Sequence, residues 1–170
     1  MRFLCALVPV LIFGCGDRGV PAGGDASSPP LDIVIAGPPR IELGGGLMRF
    51  EALPDGGTIE LVLGPQGGWH LDLSARGENL PPEGLALRYE VRDDARSTAW
   101  NFPVTASLNA RRVLPDGAGW VRVGDRAVLD IRAASEVLGR VVRVAVRAQR
   151  GEAVVAEDVR ALRVVDDLRP

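Results

Sequence analysis

The residues of this chain with the widest chemical repertoire are few and close together. His70 is the only imidazole in 170 residues, and it lies between Trp69 and Leu71 with Asp72 two places beyond. On a strand, positions 70 and 72 share one face, so this imidazole and carboxylate are able to share a cation. Trp69 beside them could offer an aromatic platform to a ligand such as a glycan. A zinc centre, however, wants three or four protein ligands, and the chain has one His. Any Ser-His-Asp triad would have to be built on His70, and there is no Gly-x-Ser-x-Gly elbow. Trp69, His70 and Asp72 are therefore candidate binding residues. No catalytic residue, bound metal or cofactor is expected. Gly44-Gly45-Gly46 leads into a strand pattern and not a helix, which removes the phosphate-cradling reading of a glycine cluster. The acid pairs Asp93-Asp94, Glu157-Asp158 and Asp166-Asp167 stand beside turns or the C-terminus and read as solvated charges, with Ca²⁺ binding as the alternative.

The elements that must hold these residues are short strands. Trp69 to Ala75 places Trp69, Leu71, Leu73 and Ala75 on one face and His70, Asp72 and Ser74 on the other. Thr58 to Leu63 and Leu85 to Val91 alternate in the same way. Further strands are expected at Ala106 to Val113, Trp120 to Val123, Ala127 to Ile131, Val141 to Ala148 and Val154 to Val165. Turns rich in Gly separate them, at Pro54-Asp55-Gly56-Gly57, Pro115-Asp116-Gly117 and Arg150-Gly151-Glu152. Helical claims are limited to one or two turns at Ala133 to Leu138 and at Asp94 to Trp100. The pattern predicts an all-β fold, an immunoglobulin-like antiparallel β-sandwich over residues 41-168. Its core draws on Trp69, Trp100, Trp120, Phe50, Phe102 and the aliphatic faces.

Composition narrows the function classes. At 46% hydrophobic the chain is not disordered throughout, and a net charge of −2 with 25% charged residues lacks the footprint of a nucleic-acid binder. Residues 16-40 hold five Gly and five Pro and have little apolar surface to repay ordering, so they read as a tether. The run Leu31-Asp32-Ile33-Val34-Ile35 interrupts it, either as an added edge strand or as a sticky spot in the linker.

The N-terminus has the plan of a secretory signal: Met1-Arg2, an apolar run from Phe3 to Phe13, then Gly14-Cys15. Eleven apolar residues are too few to span a bilayer as a helix. Ile12-Phe13-Gly14-Cys15 resembles the lipobox of bacterial lipoproteins. That resemblance implies removal of residues 1-14, a diacylglycerol thioether on Cys15 and acylation of its new amino group, with palmitate among the chains attached. Cys5 leaves with the signal, so the product has a single thiol and no internal disulfide, and lipidation would block that thiol. Gly16 stands where many inner-membrane lipoproteins carry Asp, so the resemblance favours the outer membrane.

The segment Gly64-Pro65-Gln66-Gly67-Gly68-Trp69-His70 resembles a loop of uncharacterised secreted or lipid-anchored domains of myxobacteria and related bacteria. There a GPQGG-aromatic-His stretch joins two strands. The resemblance implies a β-sandwich without an agreed activity. Read from the residues, Pro65 sets a turn corner and Gly67-Gly68 permit backbone angles denied to others. Trp69 would then open a core strand, and a small site formed by loop amides and His70 is the alternative. The expected product is a lipid-anchored envelope protein, a non-enzymatic binding or structural module. Its partners are the membrane through Cys15 and an envelope protein or glycan, with no nucleic acid. The alternatives are an envelope enzyme or metal carrier using His70, and a subunit of a larger envelope complex.

Overall fold

The computed structural model describes residues 33 and 35–166. The signal segment 1-14, Cys15 and most of the tether lie outside the described residues. Alternation of apolar and polar side chains sets ten strands among them: β1 (Arg40–Gly45), β2 (Glu51–Ala52), β3 (Thr58–Leu63), β4 (Trp69–Glu78), β5 (Ala86–Arg92), β6 (Val104–Ser107), β7 (Leu114–Asp116), β8 (Gly119–Val128), β9 (Val141–Arg150) and β10 (Ala153–Asp166). The only helical turns described are two short 3₁₀ turns, at Ala110–Arg112 and Ala134–Glu136. No described helix is long and apolar enough to cross a membrane.

The strands form one curled, mixed sheet, half-barrel in shape, in the order β2-β1-β4-β3-β10-β9-β5-β6, with β8 on the other edge of β4 and β7 beyond it. The all-β expectation holds. The pairing is not purely antiparallel, because β3 runs parallel to β10 from Thr58↔Arg163 to Asp166↔Leu61. At its far end β3 turns to pair antiparallel with β4, Val62 opposite His70 and Leu63 opposite Trp69. One six-residue strand thus ties the two halves of the curl together. Leu71, Leu73 and Ala75 of β4 are fully buried and belong to one core with Leu87, Tyr89 and Val91 of β5, Val142, Val144 and Val146 of β9, and Leu162 and Val164 of β10.

Two expected strands on either side of Gly124 are one. Trp120 to Val123 and the start of Ala127 to Ile131 join in β8, which ends at Val128, and the ladder with β4 slips at the join, Leu73 facing Asp125 but Ala75 facing Arg122. The extra residue is a bulge, and Gly124 at φ +77° supplies the backbone angle it needs. The strand expected from Ala106 to Val113 instead ends at Ser107. Asn109 caps the turn that follows, its side-chain oxygen accepting from the Arg111 amide at 3.0 Å, a local bond that competes with a ladder. Asp94 to Trp100 forms turns and bends without a helix.

The aromatic core is smaller than composition suggested. Trp120 and Trp100 are buried, but Phe102 is exposed and Phe50 lies under the Arg76 guanidinium, 4.3 Å from its ring centre. Ile33 rests partly buried against the core without joining a strand, and Ile35 is exposed. The adjoining residues are pinned by Asn79, whose side chain accepts from the Ala36 amide and donates to the Pro38 carbonyl.

Candidate functional site

The GPQGG segment is a tight connection between β3 and β4. The Gly64 amide donates to the Gly68 carbonyl at 2.7 Å, the Gly67 amide donates to the Gly64 carbonyl at 2.9 Å, and Gly67 adopts φ +87°. The loop therefore closes on its own backbone and starts β4 at Trp69, in the turn role expected of its glycines. Trp69 is half-buried and packs against the core, on the side of the fully buried Leu71 and Leu73.

His70 and Asp72 come together on the opposite face. The imidazole Nε2 lies 3.3 Å from Asp72 Oδ1, and Arg126, directly opposite on β8, brings its Nε to 3.5 Å of the same oxygen. His70 is only 5% exposed and the Asp72 side chain 11%. Asp72 Oδ1 is enclosed and makes no hydrogen bond of good geometry, so the three groups are close without a directed bond among them. The expected geometry for a shared cation is present, but Arg126 takes the cation's place. No group of three or more His, Cys, Asp or Glu among the described residues is arranged to hold a metal.

Asp72 also lines the edge of a cleft of about 730 Å³, open to solvent, which the sequence did not reveal. One wall is the β1–β2 hairpin with Leu47, Met48 and Arg49. The other is β3 with Ile59 and Val62. Met48 is 88% exposed at the hairpin tip. The cleft arises because β1 and β3 both border β4 on one side, β1 along Ser74 to Glu78 and β3 only at Trp69 and His70, so the chain diverges between them.

A second polar group is buried inside the fold. The Tyr89 hydroxyl on β5 donates to Asp125 Oδ2 at 2.9 Å, and Arg122 donates to Asp125 Oδ1 from Nε at 3.0 Å and Nη2 at 2.7 Å. Arg122 and Asp125 are three residues apart and would lie on opposite faces of a regular strand. The bulge at Gly124 puts both inward. Burial, together with the Asp125 charge and hydrogen bond, pushes the Tyr89 hydroxyl well above its usual value, and the Asp125 hydrogen bond raises the Arg122 guanidinium. Asn101 stitches the same region: its side-chain oxygen accepts from the Val91 amide, and its nitrogen donates to the Tyr89 and Phe102 carbonyls. These contacts bind the β5 side of the curl to the β8 side and present nothing reactive to solvent.

Comparison with known protein families, with curated proteins and with solved structures finds no match to this chain.

Proposed function

We propose that the chain is a lipid-anchored protein of the cell envelope, held by the diacylglycerol on Cys15, with the outer membrane favoured by Gly16. Its β domain, an immunoglobulin-like sandwich in architecture, is a non-enzymatic binding or structural module. The lipobox residues Ile12-Phe13-Gly14-Cys15 support the anchor. The observation that carries the module reading is the contrast at β4: the sole imidazole is shut against Asp72 and Arg126, whereas the adjoining cleft is open beneath an exposed Met48. Binding chemistry therefore belongs to the cleft, where a protein or glycan partner meets the hairpin tip.

Two measurements on the full chain in cells test this. Palmitate-analogue labelling and detergent partitioning should both vanish in Cys15→Ser. Persistence of both would end the anchor assignment. A photo-cross-linker placed at Met48 should capture one discrete partner, and the same group at exposed Leu114 should not. Equal capture at the two positions would remove the cleft from consideration.

A further inference from the structure

The outer face of β5, β9 and β10 carries its arginines in opposed pairs. Register sets Arg88 against Arg147 and Arg92 against Arg143. Arg163 follows on β10, opposite Val141. Like charges directly opposite each other weaken a sheet, and here the arrangement occurs twice on one ladder. Three carboxylates offset part of it. Glu90 accepts from Arg92 and Arg147, each at 2.6 Å, Glu157 accepts from Arg147 at 2.6 Å, and Asp94 accepts from Arg143 at 2.6 Å. Arg88 is exposed, with Thr105 of β6 on its other side, and forms no ion pair with any described residue. Five arginines against these three carboxylates and Glu60, exposed on the adjoining β3 opposite Val165, leave this face with a surplus of one positive charge on a chain whose net charge is −2. Aliphatic side chains stand open among them, Val141 at 50% and Val159 at 45% exposure.

Such a surface fits a broad, phosphate-rich partner. With strands about 5 Å apart and a rise of about 3.3 Å per residue, the arginines spread over an area roughly 10 Å by 20 Å. Guanidinium groups suit phosphate oxygens geometrically, and short aliphatic side chains between them tolerate partial removal from water. We propose that this face lies against the headgroups of an anionic phospholipid bilayer, its arginines meeting phosphates and its valines entering between them. The inference rests on the lipid-anchor reading for its reach, because a tethered domain meets its own membrane at high effective concentration.

The test uses the full-length lipidated chain, with Val159→Cys carrying an environment-sensitive fluorophore, in vesicles of phosphatidylcholine alone or mixed with phosphatidylglycerol. In the mixed vesicles the emission should shift to the blue and be quenched by headgroup-nitroxide lipid at low salt, and both effects should disappear at high salt. A fluorophore at Met48→Cys should not respond. Arg88→Glu with Arg163→Glu should abolish the Val159 response while leaving the thermal transition in place. An identical signal with and without phosphatidylglycerol, or its survival in the double variant, would overturn the proposal. So would the same blue shift on adding soluble polyphosphate to phosphatidylcholine vesicles, which would assign the face to a soluble polyanion. Flotation with phosphatidylcholine vesicles separately reports the anchor. If flotation fails while the phosphatidylglycerol-dependent shift remains, the anchor reading falls and the face assignment stands.

Discussion

The indole of Trp120 lies across Gly77, so close that a Cβ on residue 77 would sit 2.3 Å from the ring. The two residues face each other across β4 and β8, and Trp120 is fully buried there, its Nε1 donating to the Leu80 carbonyl. Gly77→Ala should therefore cost about 3 kcal/mol, the upper part of the overpacking range, because neither strand can withdraw without breaking its ladder. Gly67→Ala provides the comparison. A Cβ there meets nothing within 4 Å, so only the φ of +87° is strained, at about 1–2 kcal/mol. Urea denaturation should rank Gly77→Ala below Gly67→Ala in stability. The reverse order would show that the Trp120 ring can move aside.

Trp69→Ala should cost about 2 kcal/mol, less than the 3–5 kcal/mol expected for Trp120→Ala, because Trp69 is half-buried at the end of the core and Trp120 is enclosed. The same denaturation series reads both. A loss under about 0.5 kcal/mol at Trp69 would class it with ordinary surface positions and return it to consideration as a ligand platform.

Tyr89 is the only tyrosine in the chain, so absorbance near 295 nm reports its ionisation alone. Burial and Asp125 hold its proton in the folded state to a pH well above the usual value. The folded form therefore binds more protons than the unfolded form once pH passes about 10, and stability contributed by Tyr89 is intact below that pH and lost as pH rises beyond it. The absorbance change should coincide with alkaline unfolding. In Tyr89→Phe the alkaline fall in stability should be shallower, while at neutral pH the variant should lose about 1–3 kcal/mol by leaving Asp125 Oδ2 short of a donor. A Tyr89 titration near pH 10 with the fold still intact would contradict the buried link.

Glu90 governs the opposite limb. Its carboxyl is lowered by the Arg92 hydrogen bond first, against the opposing effect of burial, and then by Arg147. Stability from this cluster is present above the ordinary glutamate value and lost as pH falls through the lower folded value. Glu90→Gln should flatten the acid limb of the stability profile below about pH 4.5 and leave the alkaline limb unchanged. An acid limb as steep as that of the parent chain would exclude Glu90 as a contributor.

Alternation alone made most of the framework legible. Ile59 with Leu61, Leu71 with Leu73, and Leu87 with Tyr89 and Val91 all point inward, because one buried face leaves a strand no other register. What depends on register between strands was hidden. Arg126 meets Asp72 only because β4 and β8 pair at that step, and nothing in the spacing of 54 residues announces it. Asp125 falls between the two strands expected at Trp120 to Val123 and Ala127 to Ile131. Its inward course comes from the bulge at Gly124, which a period-two reading skips. The cleft was hidden for a related reason, since it exists where β3 leaves β4 for β10, and strand switching leaves no mark in composition. The His70-Asp72 contact was visible as a same-face pair, but its burial was not.

The parallel joining of β3 to β10 also sets the time course of folding. A hydrogen bond from the Ala161 amide to Asp55 on the approach to β3 spans 106 residues of sequence, and every β3–β10 pair closes a loop of similar length. Such loops carry an entropic cost that local contacts must first reduce, which places sheets of this connectivity among the slow folders, on a scale of about milliseconds to seconds. Because β10 also completes β9, one strand supplies partners to both halves of the curl. Until β10 docks, the β3 and β9 edges are exposed together, so the domain acquires its full cooperativity only when that strand is in place.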